Sequence, residues 1–289
     1  MIDQPNIKWL QVEATTKCNA WCHSCGRNQG GFGIKPGLVI EDLDTDKFQE
    51  TLAQFPNLEV VHFCGTHGDA VAAHNIIDLV EVAKRYCKKI QLNTNGSLRT
   101  VDWWKDFYSL LSDINHDVWF CIDGLKGVHE IYRQGTDFDT VVSNASAFIQ
   151  SGGYATWQFI PWAHNEHQIK DCIRLSQQLG FKKFEFIKHP RVPSTPRHYR
   201  TGEIMEIRPW SKNTLFSRFE QTNRHVPIEA CQHLTQPSVY LNANGKLSNC
   251  CWINHAHTVD RFEQLGDIDQ NSNPICLRSC SVAINHEQN

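Results

Sequence analysis

The sequence has no run of 18 apolar residues, so no membrane-spanning helix is expected. It also lacks a strong excess of either charge: 28 Lys and Arg stand against 31 Asp and Glu, a formal net charge of -3. That near-balance exerts no general pull on a polyanion, so no nucleic-acid partner is expected. The first nine residues carry Asp3, Gln4, Pro5 and Asn6, without the basic and apolar regions of a secretory signal. A reducing, cytoplasmic compartment is therefore expected, where cysteines do not build a disulfide framework. There is no internal repeat and no low-complexity run.

What the chain does have is cysteine: 12 in 289 residues. In a reducing compartment, clustered cysteines read first as metal or redox ligands. Cys18, Cys22 and Cys25 form one group, and Cys231, Cys250, Cys251, Cys276 and Cys280 another. Cys64, Cys87, Cys121 and Cys172 lie singly in apolar contexts and read as core residues. Cys64 and Cys121 stand at the ends of expected strands. The 15 histidines form no metal motif.

Short segments rich in Val, Ile, Phe and Trp mark strands at 7–13, 58–63, 89–93, 117–122, 154–161 and 182–187. Helical periodicity falls between them at 44–55, 71–88, 101–112, 139–151 and 168–179, the last closed by Gly180. Six strand–helix units imply a parallel sheet with helices outside. Six are too few for a closed eight-fold barrel, so the expected fold is α/β, a partial (β/α)6 TIM-like barrel. Ligands on such sheets bind at the carboxyl ends of the strands. This core occupies 1–188. Residues 189–229 hold Pro190, Pro193, Pro196 and Pro209 with Arg191, Arg197, Arg200, Arg208, Lys212, Arg218 and Arg224, and read as a linker of basic character. Residues 230–289 form a small Cys-rich module, in which 239–248 reads as a hairpin turning at Asn244-Gly245.

The first cysteine group, Cys18-Asn-Ala-Trp-Cys22-His-Ser-Cys25, follows the first strand. Three soft thiolates at spacings of four and three can converge on an iron–sulfur cluster or on zinc, with His23 as a fourth zinc ligand. A cubane held by three cysteines leaves one iron open to a small molecule.

This CxxxCxxC loop after the first strand of a βα repeat resembles the radical S-adenosylmethionine superfamily. Further segments resemble that family's motifs in the family's order. Gly65-Thr-His-Gly68-Asp69-Ala70 is similar to the glycine-rich Gly-Glu-Pro segment, with Asp69 for Glu and Ala70 for Pro. Asn93-Thr-Asn95-Gly96 and Cys121-Ile-Asp123-Gly124 resemble the segments ending the third and fourth strands. Tyr132-Arg133 resembles a stretch whose Arg binds the cofactor carboxylate, and His164-Asn165-Glu166 resembles the Asn-Glu segment after the fifth strand. The resemblance covers about 7–187. It implies a 4Fe–4S cluster on Cys18, Cys22 and Cys25, with S-adenosylmethionine contacts from Gly65, Gly68, Asp69, Asn93, Asn95, Asp123 and Arg133.

Cys231, Gly245-x4-Cys250 and Cys276-x3-Cys280 resemble the SPASM/twitch appendage, in its shorter form with one auxiliary 4Fe–4S cluster. Cys231, Cys250, Cys276 and Cys280 are the implied ligands, with Cys251 an alternative, and a structural zinc remains the other reading. The activity implied is reductive cleavage of S-adenosylmethionine to a 5′-deoxyadenosyl radical, which takes hydrogen from a substrate. A peptide to be matured is one substrate; a small polar or phosphorylated sugar or nucleotide, dehydrogenated or isomerised, is another. An electron donor such as flavodoxin or ferredoxin is implied. An iron–sulfur electron-transfer or sensor protein is the reading from a different class. The sequence names no catalytic residue.

Overall fold

A computed structural model describes residues 6–187, 195–211, 238–248, 258–261 and 264. Six strands run in the order of the sequence: β1 (Trp9–Val12), β2 (Val60–Phe63), β3 (Lys89–Thr94), β4 (Asn115–Cys121), β5 (Ala155–Phe159) and β6 (Lys183–Phe186). All five pairings between them are parallel. Helices α1 (Thr45–Leu52), α2 (Ile76–Lys84), α3 (Val101–Leu111), α4 (His129–Tyr132), α5 (Phe138–Gln150) and α6 (Ile169–Leu179) fill the crossovers. Two further strands, β7 (Ser238–Leu241) and β8 (Leu247–Ser248), complete a sheet of order β6-β5-β4-β3-β2-β1-β7-β8. The fold is the expected partial barrel.

Local chemistry fixes the helix ends. Asp44, Thr100 and Asp137 cap α1, α3 and α5 by accepting the N–H groups of Lys47, Trp103 and Thr140. Gly180 closes α6 in the left-handed conformation, φ 88°. Alternate strand residues face the helices: Leu10, Val12, Val61, Phe63, Ile90, Leu92, Val118, Phe120, Trp157 and Phe159 join Phe48, Leu79, Trp104 and Phe148 in one core. Each such side chain, once buried, contributes about 1.5–3 kcal/mol. The other strand positions carry Gln11, His62, Gln91, Asn93, Asp117, Cys121, Thr156 and Gln158 and line the concave face.

Three expectations change. The helix expected over 71–88 is broken: a 3₁₀ turn at Ala70–Ala72 precedes α2, and Asn75 donates its side-chain N–H to the Leu43 carbonyl at 2.9 Å, holding the break. Cys87 thus lies beyond the helix. The 239–248 hairpin forms with Gly245 at φ 76°, yet it extends the barrel sheet, because β7 pairs in parallel with β1. The segment read as a linker is docked where described. Arg197 N–H donates to the Gly30 carbonyl at 2.7 Å, Tyr199 N–H to Gln134 Oε1 at 2.9 Å, and Ser211 Oγ to Glu166 Oε2 at 2.6 Å.

Among the described residues no helix is long and apolar enough to cross a membrane.

Candidate functional site

The chain leaving β1 is staked down before it reaches the first cysteine. Thr15 Oγ1 donates to the Glu41 carbonyl and to Asp42 Oδ1, and Lys17 pairs with Asp42 at 2.5 Å. Arg27 Nε reaches back to the Thr16 carbonyl at 3.0 Å, and Trp21 N–H donates to the Gln134 carbonyl at 2.7 Å. The loop so held presents Cys18, Cys22 and Cys25 to one apolar cluster with Ala20, Tyr132, Ile160 and Trp162. Cys22 is buried, the other two half-buried. His23, Tyr132 and Trp162 form its aromatic wall, with ring centroids 4.8–5.3 Å apart.

Each sulfur has a donor. Ala20 N–H lies 3.3 Å and Asn95 Nδ2 3.6 Å from Cys18 Sγ, Arg27 N–H 3.5 Å from Cys25 Sγ, and Arg133 Nη1 3.8 Å from Cys22 Sγ. Burial, the Asp69 carboxylate and the two other cysteines push the Cys18 thiol up. Three soft thiols gathered on one loop, with N–H donors on their sulfurs, suit a cationic iron–sulfur centre. Among the described residues no three His, Cys, Asp or Glu side chains are grouped around one metal ion.

The loops around the triad are stitched by buried carboxylates. Glu13, directly after β1 and only 2% exposed, accepts the backbone N–H groups of Thr66, His67 and Gly68, each at 3.0 Å. Tyr240 Oη–H, on β7, donates to the same carboxylate at 2.5 Å. Burial pushes the Glu13 carboxyl up from 4.5 to about 7, against these donors, which lower it. Gly65 takes φ 62°, and a Cβ on Gly68 would lie 1.9 Å from the Thr15 carbonyl oxygen, so only glycine lets this loop rest on the triad loop. His67 is buried with its ring 3.8 Å from Glu13.

Asp69 caps the 3₁₀ turn through Val71 N–H at 3.1 Å and accepts Thr94 Oγ1–H at 2.9 Å and Asn95 N–H at 2.6 Å. Burial pushes its carboxyl up, opposed by these bonds. Asn95 also donates to Asn19 Oδ1 at 2.9 Å. Asp123, fully buried, accepts Arg133 Nε–H at 2.6 Å and Ile160 N–H at 2.5 Å. Asn165 donates to the Asp123 carbonyl at 2.9 Å.

Of the residues implied by the resemblance, Asn95, Asp123 and Arg133 stand on the rim beside the triad, and Gly65, Gly68 and Asp69 build the adjoining loop. Asn93 sits deeper. His62 Nε2–H donates to Asn93 Oδ1 at 2.6 Å, and Asn93 Nδ2–H reaches Gln158 Oε1 at 3.5 Å. The Cys121 thiol donates to that Oε1 at 2.9 Å. Burial pushes His62 down to about 4 and the Cys121 thiol up to about 12, so this chain of groups is uncharged at neutral pH. Cys121 and Cys172 are buried and Cys64 and Cys87 half-buried. Cys231, Cys250, Cys251, Cys276 and Cys280 lie outside the described residues.

Sequence reading missed Glu13, His62, Gln158 and Tyr240. Glu13 left one signal, an acid closing a strand directly before the cysteine loop. Tyr240 left none, since its partner is 227 residues away.

No protein-family model matches the chain. Over 132 residues it is 27% identical to the tungsten-containing aldehyde ferredoxin oxidoreductase cofactor-modifying protein of Pyrococcus furiosus, a match covering 45% of this chain and 34% of that protein, about a third of its length. Among solved structures, the radical S-adenosylmethionine enzyme anSMEcpe with bound S-adenosylmethionine aligns over 89% of this chain and 79% of its own, with TM-score 0.61 and 14% identity. Streptococcus suis SuiB bound to S-adenosylmethionine aligns over 89% of this chain and 64% of its own, with TM-score 0.60 and 10% identity. SuiB bound to the precursor peptide SuiA aligns over 98% of this chain and 67% of its own, with TM-score 0.57 and 11% identity. At such identities the likeness is one of fold: this chain has the partial barrel of the radical S-adenosylmethionine enzymes.

Proposed function

We propose that the chain is a radical S-adenosylmethionine enzyme whose Cys18, Cys22 and Cys25 hold a 4Fe–4S cluster. The observation that carries this reading is the triad itself: three thiols on the loop after β1, in one apolar cluster, each sulfur with an N–H donor. Such a cluster with bound S-adenosylmethionine supplies one-electron cleavage to methionine and an adenosyl radical that takes hydrogen from substrate. The protein's part is to bind, orient and shield. Arg133 is held by Asp123 through Nε, which leaves its Nη groups turned to the Cys22 side of the rim, where a cofactor carboxylate would be met. The carbonyls of 65–68 would meet the cofactor amino group, since Glu13 holds the N–H groups of Thr66, His67 and Gly68. Tyr132 and Trp162 exclude water.

The substrate that fits best is a peptide. The concave face below the rim carries the uncharged series His62, Asn93, Gln158 and Cys121, which matches amide groups better than phosphate. Two arginines of the basic segment, whose charge would suit an anionic substrate, have local partners: Arg197 donates to the Gly202 carbonyl at 2.7 Å, and Arg208 pairs with Glu206. An auxiliary cluster on Cys231, Cys250, Cys276 and Cys280, and a flavodoxin- or ferredoxin-like donor, complete the proposal; both rest on the sequence resemblance.

Anaerobic reconstitution followed by dithionite and S-adenosylmethionine tests the reading. We expect 5′-deoxyadenosine from the wild type and none from Cys22→Ala. Iron-loaded wild type that neither binds nor cleaves S-adenosylmethionine, with candidate peptides present, would favour an electron-transfer or sensor role instead.

A further inference from the structure

We infer that Glu13 is a positioning residue through which the β7–β8 hairpin sets the shape of the 65–68 loop, and hence the affinity for S-adenosylmethionine. The inference rests on the function proposed above. Its basis is one shared oxygen. Glu13 Oε2 accepts the N–H groups of Thr66 and His67 at 3.0 Å and the hydroxyl of Tyr240 at 2.5 Å, in a site where the carboxylate is 2% exposed.

That arrangement makes two distant segments interdependent. With Gly68 N–H on the other oxygen, three consecutive amides point at Glu13, which fixes the peptide planes of the loop and therefore where their carbonyls face. Gly68 rests on the Thr15 carbonyl, so the loop cannot relax toward the triad. Its remaining freedom is to follow Glu13. Glu13 in turn is held from the far side by Tyr240, which projects from β7 beside the carboxyl end of β1. Glu13 N–H also donates to the Leu241 carbonyl at 2.8 Å, so backbone and side chain of this residue both report the position of β7.

The hairpin is not a neutral stretch of chain. Ser248 stands two residues before Cys250, and Ser238 seven after Cys231. β7 reaches the cofactor loop by the Tyr240–Glu13 bond and by the contact of the Tyr240 hydroxyl with the Thr66 side chain. Coupling of this kind is reciprocal: cofactor bound at the loop will tighten the hairpin.

Tyr240→Phe removes the hydroxyl alone and keeps the ring packed. In reconstituted protein under anaerobic conditions we expect S-adenosylmethionine to bind about tenfold more weakly, the scale of one lost buried hydrogen bond, the same hydroxyl also meeting the Thr66 side chain on the loop. Hydrogen–deuterium exchange at the amides of Thr66, His67 and Gly68 should rise with it, in cluster-free protein as well, and Glu13→Gln should reproduce both effects. Val239→Ala, which weakens β7 from its helix-facing side, should leave affinity within twofold and those amides protected. Tyr240→Phe binding as tightly as wild type, with unchanged exchange, would overturn the inference while leaving the proposed function standing. A wild type that binds no S-adenosylmethionine would overturn both. Equal losses in Tyr240→Phe and Val239→Ala would reduce the bond to a general stabilising role and also overturn it.

Discussion

The Asp123–Arg133 pair offers a sharp test of how the rim is built, because it can be broken with almost no change of shape. Asp123 is fully buried and the Arg133 side chain 13% exposed, and the carboxylate accepts Nε–H at 2.6 Å and Ile160 N–H at 2.5 Å. Asp123→Asn keeps the volume but removes the charge opposite a guanidinium that cannot shed its proton. Removing one member of a buried ion pair costs about 3–5 kcal/mol, since the other is left uncompensated. The amide must also turn one N–H toward a donor, either Arg133 or Ile160, at a cost of about 1–3 kcal/mol that overlaps with the first. We therefore expect a loss of about 4 kcal/mol in urea unfolding of the cluster-free protein. Typical domains have about 5–15 kcal/mol in all. Asp123→Asn with Arg133→Gln removes the stranded charge, and the double variant should regain roughly half of that loss. A single-variant loss below about 1 kcal/mol, or strict additivity in the pair, would refute the view that charge compensation holds these loops together.

Two further outcomes follow from the same loops. Gly68→Ala places a Cβ 1.9 Å from the Thr15 carbonyl oxygen and 2.9 Å from that of Lys17, whereas Gly127, itself at positive φ (83°), has nothing within 4 Å; the thermal midpoint should fall further for Gly68→Ala, by about 2–4 °C per kcal/mol of added strain, and equal falls would contradict the close approach. Glu13 titrates near 7 folded and near 4.5 unfolded, so the folded chain binds more protons between those values and stability declines as pH rises through the window. Relative to Glu13→Gln, measured in the presence of the neighbouring His67, Cys64 and Tyr240, the wild type should lose on the order of 3 kcal/mol across that window, and a flat difference would count against a Glu13 carboxyl raised by burial.

Local patterns made the barrel legible. Short segments, most of them rich in Val, Ile, Phe or Trp, marked all six parallel strands, and the cysteine spacing with the turn residues after each strand marked the triad loop. What escaped depended on partners far along the chain. Val239-Tyr240-Leu241 reads as a strand from its own composition, but nothing local says that it will lie beside Trp9–Val12 in parallel register. The break before α2 is invisible in a helical pattern because Asn75 is drawn away by the carbonyl of Leu43, a contact across 32 residues. The polar concave face was hidden for another reason. His62, Asn93 and Gln158 come from three strands and become a series only once the register aligns them.

Asp69 and Ala70, which stand where the resembled Gly-Glu-Pro segment has Glu and Pro, have a physical account in these contacts. A Glu at this position would carry its carboxylate one methylene beyond the backbone N–H of Val71, and the 3₁₀ turn at Ala70–Ala72 would lose its cap. With Ala70 where the pattern has Pro, that cap is what starts the turn, because the φ restraint a proline would supply is absent. The shorter acid and the missing ring are therefore one coupled change: Asp69 replaces by hydrogen bonds the rigidity that Pro would provide covalently, and it joins the loop after β2 to Thr94 and Asn95 after β3. Asp69→Glu alone should thus weaken this loop, whereas Asp69→Glu together with Ala70→Pro should restore the thermal midpoint. Failure of the pair to improve on the single variant would show that Asp69 acts through Thr94 and Asn95 only.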